Sequence, residues 1–152
     1  MGLLTLRRAG HRQNYLWFDE APDNRLEPYG EGVAALFDVR TQIEEQGDVG
    51  LLRQKLRVSP HLTLLQTSQM QNREWLPSAS ELSLTHGLQY SFGDVDAQLL
   101  ELLRIFDGEL TVQKVVGQLN IEYPMANDLV EVNLPKIREL LWYGFLVPAD
   151  QA

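Results

Sequence analysis

The chain has 152 residues, no cysteine, 44% hydrophobic residues and a formal net charge of −8. That apolar content supports a core in one ordinary domain or two small ones and is too high for a disordered chain. The absence of cysteine excludes disulfides, thiolate catalysis and cysteine-based zinc. No run of about 18 apolar residues could span a bilayer, and the opening Met-Gly-Leu-Leu-Thr-Leu-Arg-Arg lacks the pattern of a signal peptide. Gly2 could carry a myristoyl group, but Leu6 stands where Ser or Thr is preferred. Together these features suit a cytoplasmic protein.

The charge is uneven. Residues 1–80 carry nine Lys/Arg against ten Asp/Glu, and residues 81–152 carry four against eleven. A nucleic-acid ligand is bound chiefly by replacing its counterions with Lys and Arg, so the acidic second half would repel a phosphate backbone.

In chain order, Leu3, Leu4 and Leu6 predict a first strand and Tyr15-Leu16-Trp17-Phe18 a second, with a turn between them. A Pro-containing acidic loop follows. Val33, Leu36, Phe37 and Ile43 have roughly helical spacing over residues 32–46, and Gly47 ends that helix. Asp48 can cap a short helix through Lys55, with Val49, Leu51 and Leu52 apolar. Ser59-Pro60 breaks the chain, His61-Leu62-Thr63-Leu64-Leu65 reads as a strand, and residues 66–73 are polar and uncommitted. Pro77-Ser78-Ala79-Ser80 has the composition of a linker and coincides with the change in charge balance. The expected division is therefore an N-terminal α+β docking region over 1–76 and a second domain over 81–152.

Beyond the linker, Leu82 and Leu84, then Leu88, Tyr90 and Phe92, alternate around His86-Gly87, which predicts a hairpin. Three helical patterns follow. Asp94 can cap the first, whose face is Val95, Leu99, Leu102, Leu103 and Phe106, and Gly108 ends it. Thr111 can cap the second, with Val112, Val115, Val116 and Leu119 on one side. The third runs from near Asn127 to Gly144 through Leu129, Val130, Leu134, Ile137, Leu140 and Leu141, with Pro135 predicting a kink or a second start. Residues 145–148 read as a closing strand. Helix, short helix, longer helix and strand is the order of a winged-helix trunk, and the whole predicts an α+β fold.

Catalytic chemistry is not written in this sequence. His11, His61 and His86 have no ligand spacing. No nucleophile elbow, phosphate loop or dinucleotide fingerprint is present. Asp94 and Asp96 read as helix-capping residues rather than an acid–base pair. Arg7, Arg8 and Arg12 form a basic cluster for which a solvated strand edge is the simpler account than an anion site. Trp142, Tyr143 and Phe145, like Tyr15, Trp17 and Phe18, are core aromatics by default and interface anchors at their sharpest. No metal, cofactor or catalytic residue is expected.

Residues 81–147 resemble the PqqD-like family, the winged-helix peptide-binding domains also called RiPP recognition elements. The resemblance rests on Leu99-Leu100-Glu101-Leu102-Leu103, Phe106-Asp107-Gly108-Glu109-Leu110-Thr111-Val112, Val115-Val116-Gly117-Gln118-Leu119 and, at the end, Leu140 with Gly144-Phe145-Leu146. It covers under half the chain; residues 1–80 have no counterpart in the small stand-alone members, and Pro135 departs from a straight last helix. The resemblance implies a non-catalytic accessory protein that binds the leader segment of a precursor peptide, or a protein partner, for a modifying enzyme. The ligand would add a strand at residues 88–92 and lay side chains on the third helix, giving Leu88, Tyr90, Phe92, Val130, Leu134 and Ile137 as partner-binding residues. Domains of this kind also serve as regulatory parts of oxygenases and methyltransferases. The rival class is a winged-helix DNA-binding regulator, against which the acidic second half argues. A small enzyme with its site in residues 1–80 is the third class; no residues there converge on a site.

Overall fold

A computed structural model describes residues 30–87, 90–93, 95–122 and 129–150. The expected strands at 3–6 and 15–18, the cluster of Arg7, Arg8 and Arg12, and the candidate residue Leu88 lie outside the described residues. The elements run α1 (Gly30–Arg53), β1 (Lys55–Val58), β2 (Leu62–Gln71), β3 (Glu74–Leu84), β4 (Ser91–Phe92), α2 (Ala97–Ile105), β5 (Asp107–Thr111), α3 (Val112–Glu122), α4 (Leu129–Trp142) and β6 (Leu146–Pro148). The fold is α+β, with two antiparallel sheets ordered β5-β1-β6 and β2-β3-β4.

Local signals explain most of the helices. Gly47 takes a left-handed, non-helical conformation (φ 58°, ψ −164°) and bends α1 where the sequence put its end. Asp96 caps α2, its side chain accepting a bond from the Leu99 N–H at 2.6 Å; the expected cap Asp94 lies outside the described residues. Leu99, Leu102 and Leu103 are the buried stripe of that helix. α3 begins directly after Thr111, and Val112, Val115 and Val116 are fully buried. α4 continues through Pro135, which is exposed. Gly144 (φ 77°) ends that helical region and lets Phe145 turn back, its N–H donating to the Leu140 carbonyl at 2.8 Å.

Three expectations fail, each for a tertiary reason. Lys55 opens β1 instead of closing a helix, because residues 55–58 fill the gap between two later strands. Leu56 stands opposite Pro148, Val58 opposite Leu146, and Arg57 between Val147 and Asp107. Asp107-Gly108 is not only a turn but the start of β5, paired to β1. The supposed linker at 77–80 lies inside β3, the longest strand, and residues 66–71 form most of β2.

The change in charge balance therefore marks no break in the described fold. Leu51 and Leu56 from upstream share one buried cluster with Leu102, Val115, Ile137, Leu141 and Phe145 from downstream. Backbone bonds tie the two parts together: Val112 N–H to the Gln54 carbonyl (2.9 Å), Ser59 N–H to Phe145 (2.9 Å) and Ala149 N–H to Lys55 (3.0 Å). The described part of the expected first region, 1–76, thus shares a core and a sheet with the expected second domain, 81–152. No helix among the described residues is long and apolar enough to cross a membrane.

Candidate protein-interaction surface

The sheet β2-β3-β4 leaves the body of the molecule as an arm. Its base is anchored: Leu82 is buried, and Leu62, Leu84, Tyr90 and Phe92 pack against the core. Above the base, β2 and β3 pair from Leu62↔Leu84 out to Gln71↔Glu74, and both faces of this ribbon are exposed. The tip is a two-residue turn in which Asn72 (φ 50°) and Arg73 (φ 71°) are both left-handed, the conformation that matches the twist of paired strands. The arm carries five of the six exposed large hydrophobics of the described residues: Leu64, Leu65, Met70, Trp75 and Leu76. Trp75, at 68% exposure, stands opposite Met70. An isolated two-stranded ribbon is marginal in water, and exposed apolar residues gathered on one element mark interaction surfaces.

The two outer edges of this sheet differ. β2 contains no charged residue, proline or glycine from Leu62 to Gln71. β3 carries Glu74, Pro77 and Glu81, and its register shifts opposite Thr67/Ser68, leaving Ser78 as an extra residue. Charge, proline and bulges are the devices that keep an edge from pairing. Near its base β3 is covered by β4, with Leu82 opposite Phe92 and Ser83 opposite Ser91. Among the described residues β4 is then the outermost strand on that side.

The structure separates the sequence-predicted site residues. Tyr90 and Phe92 are half-buried on the β4 side, and the Tyr90 ring meets Tyr143 edge-on at 5.1 Å. That contact brings the open edge beside the end of α4. Leu134 and Ile137 do not line this edge. They are 6% and 0% exposed and form part of the core, since the apolar face of α4 packs on α1 and α3. Val130 lies in the first turn of α4, and its side chain is outside the described residues.

Two features escaped the sequence. Arg40 is 6% exposed, and its Nη2 donates to the Trp142 carbonyl at 3.0 Å. A cation at the end of α4 meets the negative end of the helix dipole, so Arg40 fastens α1 to the site end of α4. His61 and His86, far apart in sequence, stack at 4.4 Å at the foot of the arm. Thr85 Oγ1 lies 3.2 Å from His86 Nδ1. Two rings in tilted contact do not converge on an ion, and no group of three or more potential ligands exists among the described residues. A surface depression lined by Gln42, Gln54, Lys55, Pro148, Ala149 and Asp150 holds no nucleophile–base pair. On α4, Lys136 lies 3.6 Å from Asp96 and Arg138 is bonded to Asp48, so both cations face carboxylates.

The sequence from Ala35 to Pro148, α1 through β6, matches a known family across the division that composition had suggested. The chain belongs to DUF7782, a domain of unknown function. The DUF7782 match takes in both sheets and the arm, in agreement with the single buried cluster. No curated protein matches the chain.

Proposed function

We propose that this DUF7782 protein is a non-catalytic accessory protein with a winged-helix-like trunk, which binds an extended segment of a precursor peptide or protein partner by strand addition and presents it to a modifying enzyme. The observation that carries this reading is the open edge of β4 beside the end of α4, joined by the Tyr90–Tyr143 contact. Strand addition needs such an edge for backbone bonds and adjoining side-chain pockets for choice of sequence. Tyr90, Phe92 and Tyr143 supply half-buried aromatic surface there, and aromatic anchors dominate interfaces of this kind. In this reading Leu134 and Ile137 hold α4 in place instead of touching the ligand. Binding would raise the effective concentration of the tethered substrate at the enzyme. The DNA-regulator alternative loses support from the pairing of Lys136 and Arg138 with carboxylates.

The test is selection of binders from a random peptide library on the full chain, then titration followed by backbone amide shifts. Leu84 N–H donates to the Tyr90 carbonyl, so the Ser91 N–H points away from β3. Ser91→Pro removes that outward donor and should weaken a selected peptide by about tenfold, the worth of one or two backbone bonds. Shifts should centre on Tyr90, Ser91 and Phe92. Binders that leave these amides unmoved, or salt-sensitive retention of DNA in a gel shift, would refute the reading.

A further inference from the structure

We propose that the outer edge of β2 pairs antiparallel with the same strand of a second copy of this chain, joining two arms into one continuous sheet about a two-fold axis. This does not rest on the peptide reading, because β2 and β4 are opposite edges of the sheet and both β4 edges stay open in the dimer.

The phase of β2 follows from one bond. Thr85 N–H donates to the His61 carbonyl at 3.0 Å, just before the Leu62↔Leu84 pair. In an antiparallel ladder the bonding direction alternates residue by residue. Odd-numbered residues of β2 therefore bond to β3, and Leu64, Gln66, Ser68 and Met70 turn their N–H and C=O outward. Among the described residues these backbone groups form an unpaired edge, whereas β3 is guarded by Pro77, a bulge and two glutamates.

The choice of a second copy comes from charge and register. The protein has a net charge of −8, which generally opposes self-association. Yet β2 has no charge, so two copies of it meet without like-charge pairs. A two-fold axis normal to the sheet requires even residues to face even residues. With Thr67 opposite Thr67 on the axis, Leu64 faces Met70 of the second copy and Gln66 faces Ser68. The Leu64–Met70 pairing extends a row that runs Trp75, Met70, then Leu64 and Leu82 of the other copy, since Trp75 already opposes Met70 and Leu82 opposes Leu64. Leu64, Met70 and Trp75 are 46%, 54% and 68% exposed in the single chain. Shifting the register by two residues puts Leu64 opposite Ser68 or beyond the partner's strand end. The pairing adds about eight backbone hydrogen bonds.

The test uses the full chain, which contains no native cysteine. Sedimentation velocity over a concentration series should show a monomer–dimer equilibrium that added salt does not weaken, because no ion pairs form the seam and salt screens the net charge. Thr67→Cys should oxidise readily to a covalent dimer, since directly opposed residues in a non-bonded pair have Cα atoms about 4.5 Å apart, within disulfide reach. Leu65→Cys should not, because the two copies of residue 65 are offset by four residues, roughly 13 Å. Gln66→Pro removes an outward N–H from each strand and should weaken the dimer about 30-fold or more, with the circular dichroism of the monomer unchanged. A concentration-independent monomer overturns the proposal and leaves the β2 edge to a segment of other origin. A dimer in which Thr67→Cys cross-links no faster than Leu65→Cys overturns it equally. Neither readout involves the β4 edge, so this proposal and the peptide reading can fail separately.

Discussion

Leu56→Ala asks whether the strand before the arm belongs to the same cooperative unit as the helices after it. Leu56 is 0% exposed in the central strand of β5-β1-β6. Truncation removes three carbon-sized groups from the core, about 2–2.5 kcal/mol of transfer free energy. Strands on both sides pin β1, so the site cannot collapse to fill the gap, and the residual cavity brings the total to about 3–4 kcal/mol. For a chain of this length that lowers the melting temperature by about 6–16 °C. The assay is urea unfolding followed by far-ultraviolet circular dichroism and by tryptophan emission. One transition is expected, with a lower midpoint and an unchanged slope. If residues 81–152 folded alone, most of the helical signal from α2, α3 and α4 would keep its wild-type midpoint. A loss below about 1 kcal/mol, or a biphasic curve, would refute the reasoning. A fragment beginning at Glu81 lacks the central strand and should not unfold cooperatively; a sharp transition in it would refute the same claim independently.

Three further outcomes are expected. Asp96→Ala removes the α2 cap and should cost about 1 kcal/mol in chemical denaturation, whereas Asp96→Asn should restore most of it because the bond to the Leu99 N–H survives. Arg73→Gly relieves a left-handed residue at the tip of the arm and should stabilise the hairpin by about 1 kcal/mol, read as slower amide exchange in β2 and β3 with little change in global stability. Arg40→Met leaves the Trp142 carbonyl without its charged donor and should cost about 2 kcal/mol; a melting temperature equal to wild type would show that α1 is not fastened to α4 through this bond.

The helices were legible because their signals are local. The stripe at Leu99, Leu102 and Leu103, the run at Val112, Val115 and Val116, and Gly47 and Gly144 each act within a turn or two of helix. The hairpin at His86-Gly87 was legible for the same reason, with Leu82 and Phe92 meeting as the alternation required. Of the arm, only the inner half of β2 was, read as a strand over 61–65. Gln, Thr and Ser fill the next four positions of β2, its turn is Asn-Arg instead of Asn-Gly, and Pro77 lies inside β3. Each of these lowers the strand signal, because a solvated ribbon has no buried face to impose a pattern. Leu134 and Ile137 show the converse: an apolar helical stripe reads the same whether it meets a ligand or the core, and here both side chains are buried in the core.

The sequence by itself determined the α+β class, the apolar stripes of the helices and the absence of cysteine chemistry, because composition and periodicity operate over a few residues. Only the tertiary structure decided that β1 sits between β5 and β6, that one core crosses the supposed linker, and that the apolar side chains of the arm stay outside. Those outcomes depend on pairings between distant segments, for which backbone hydrogen bonding is indifferent to side-chain identity and closure of a long loop adds little to the cost.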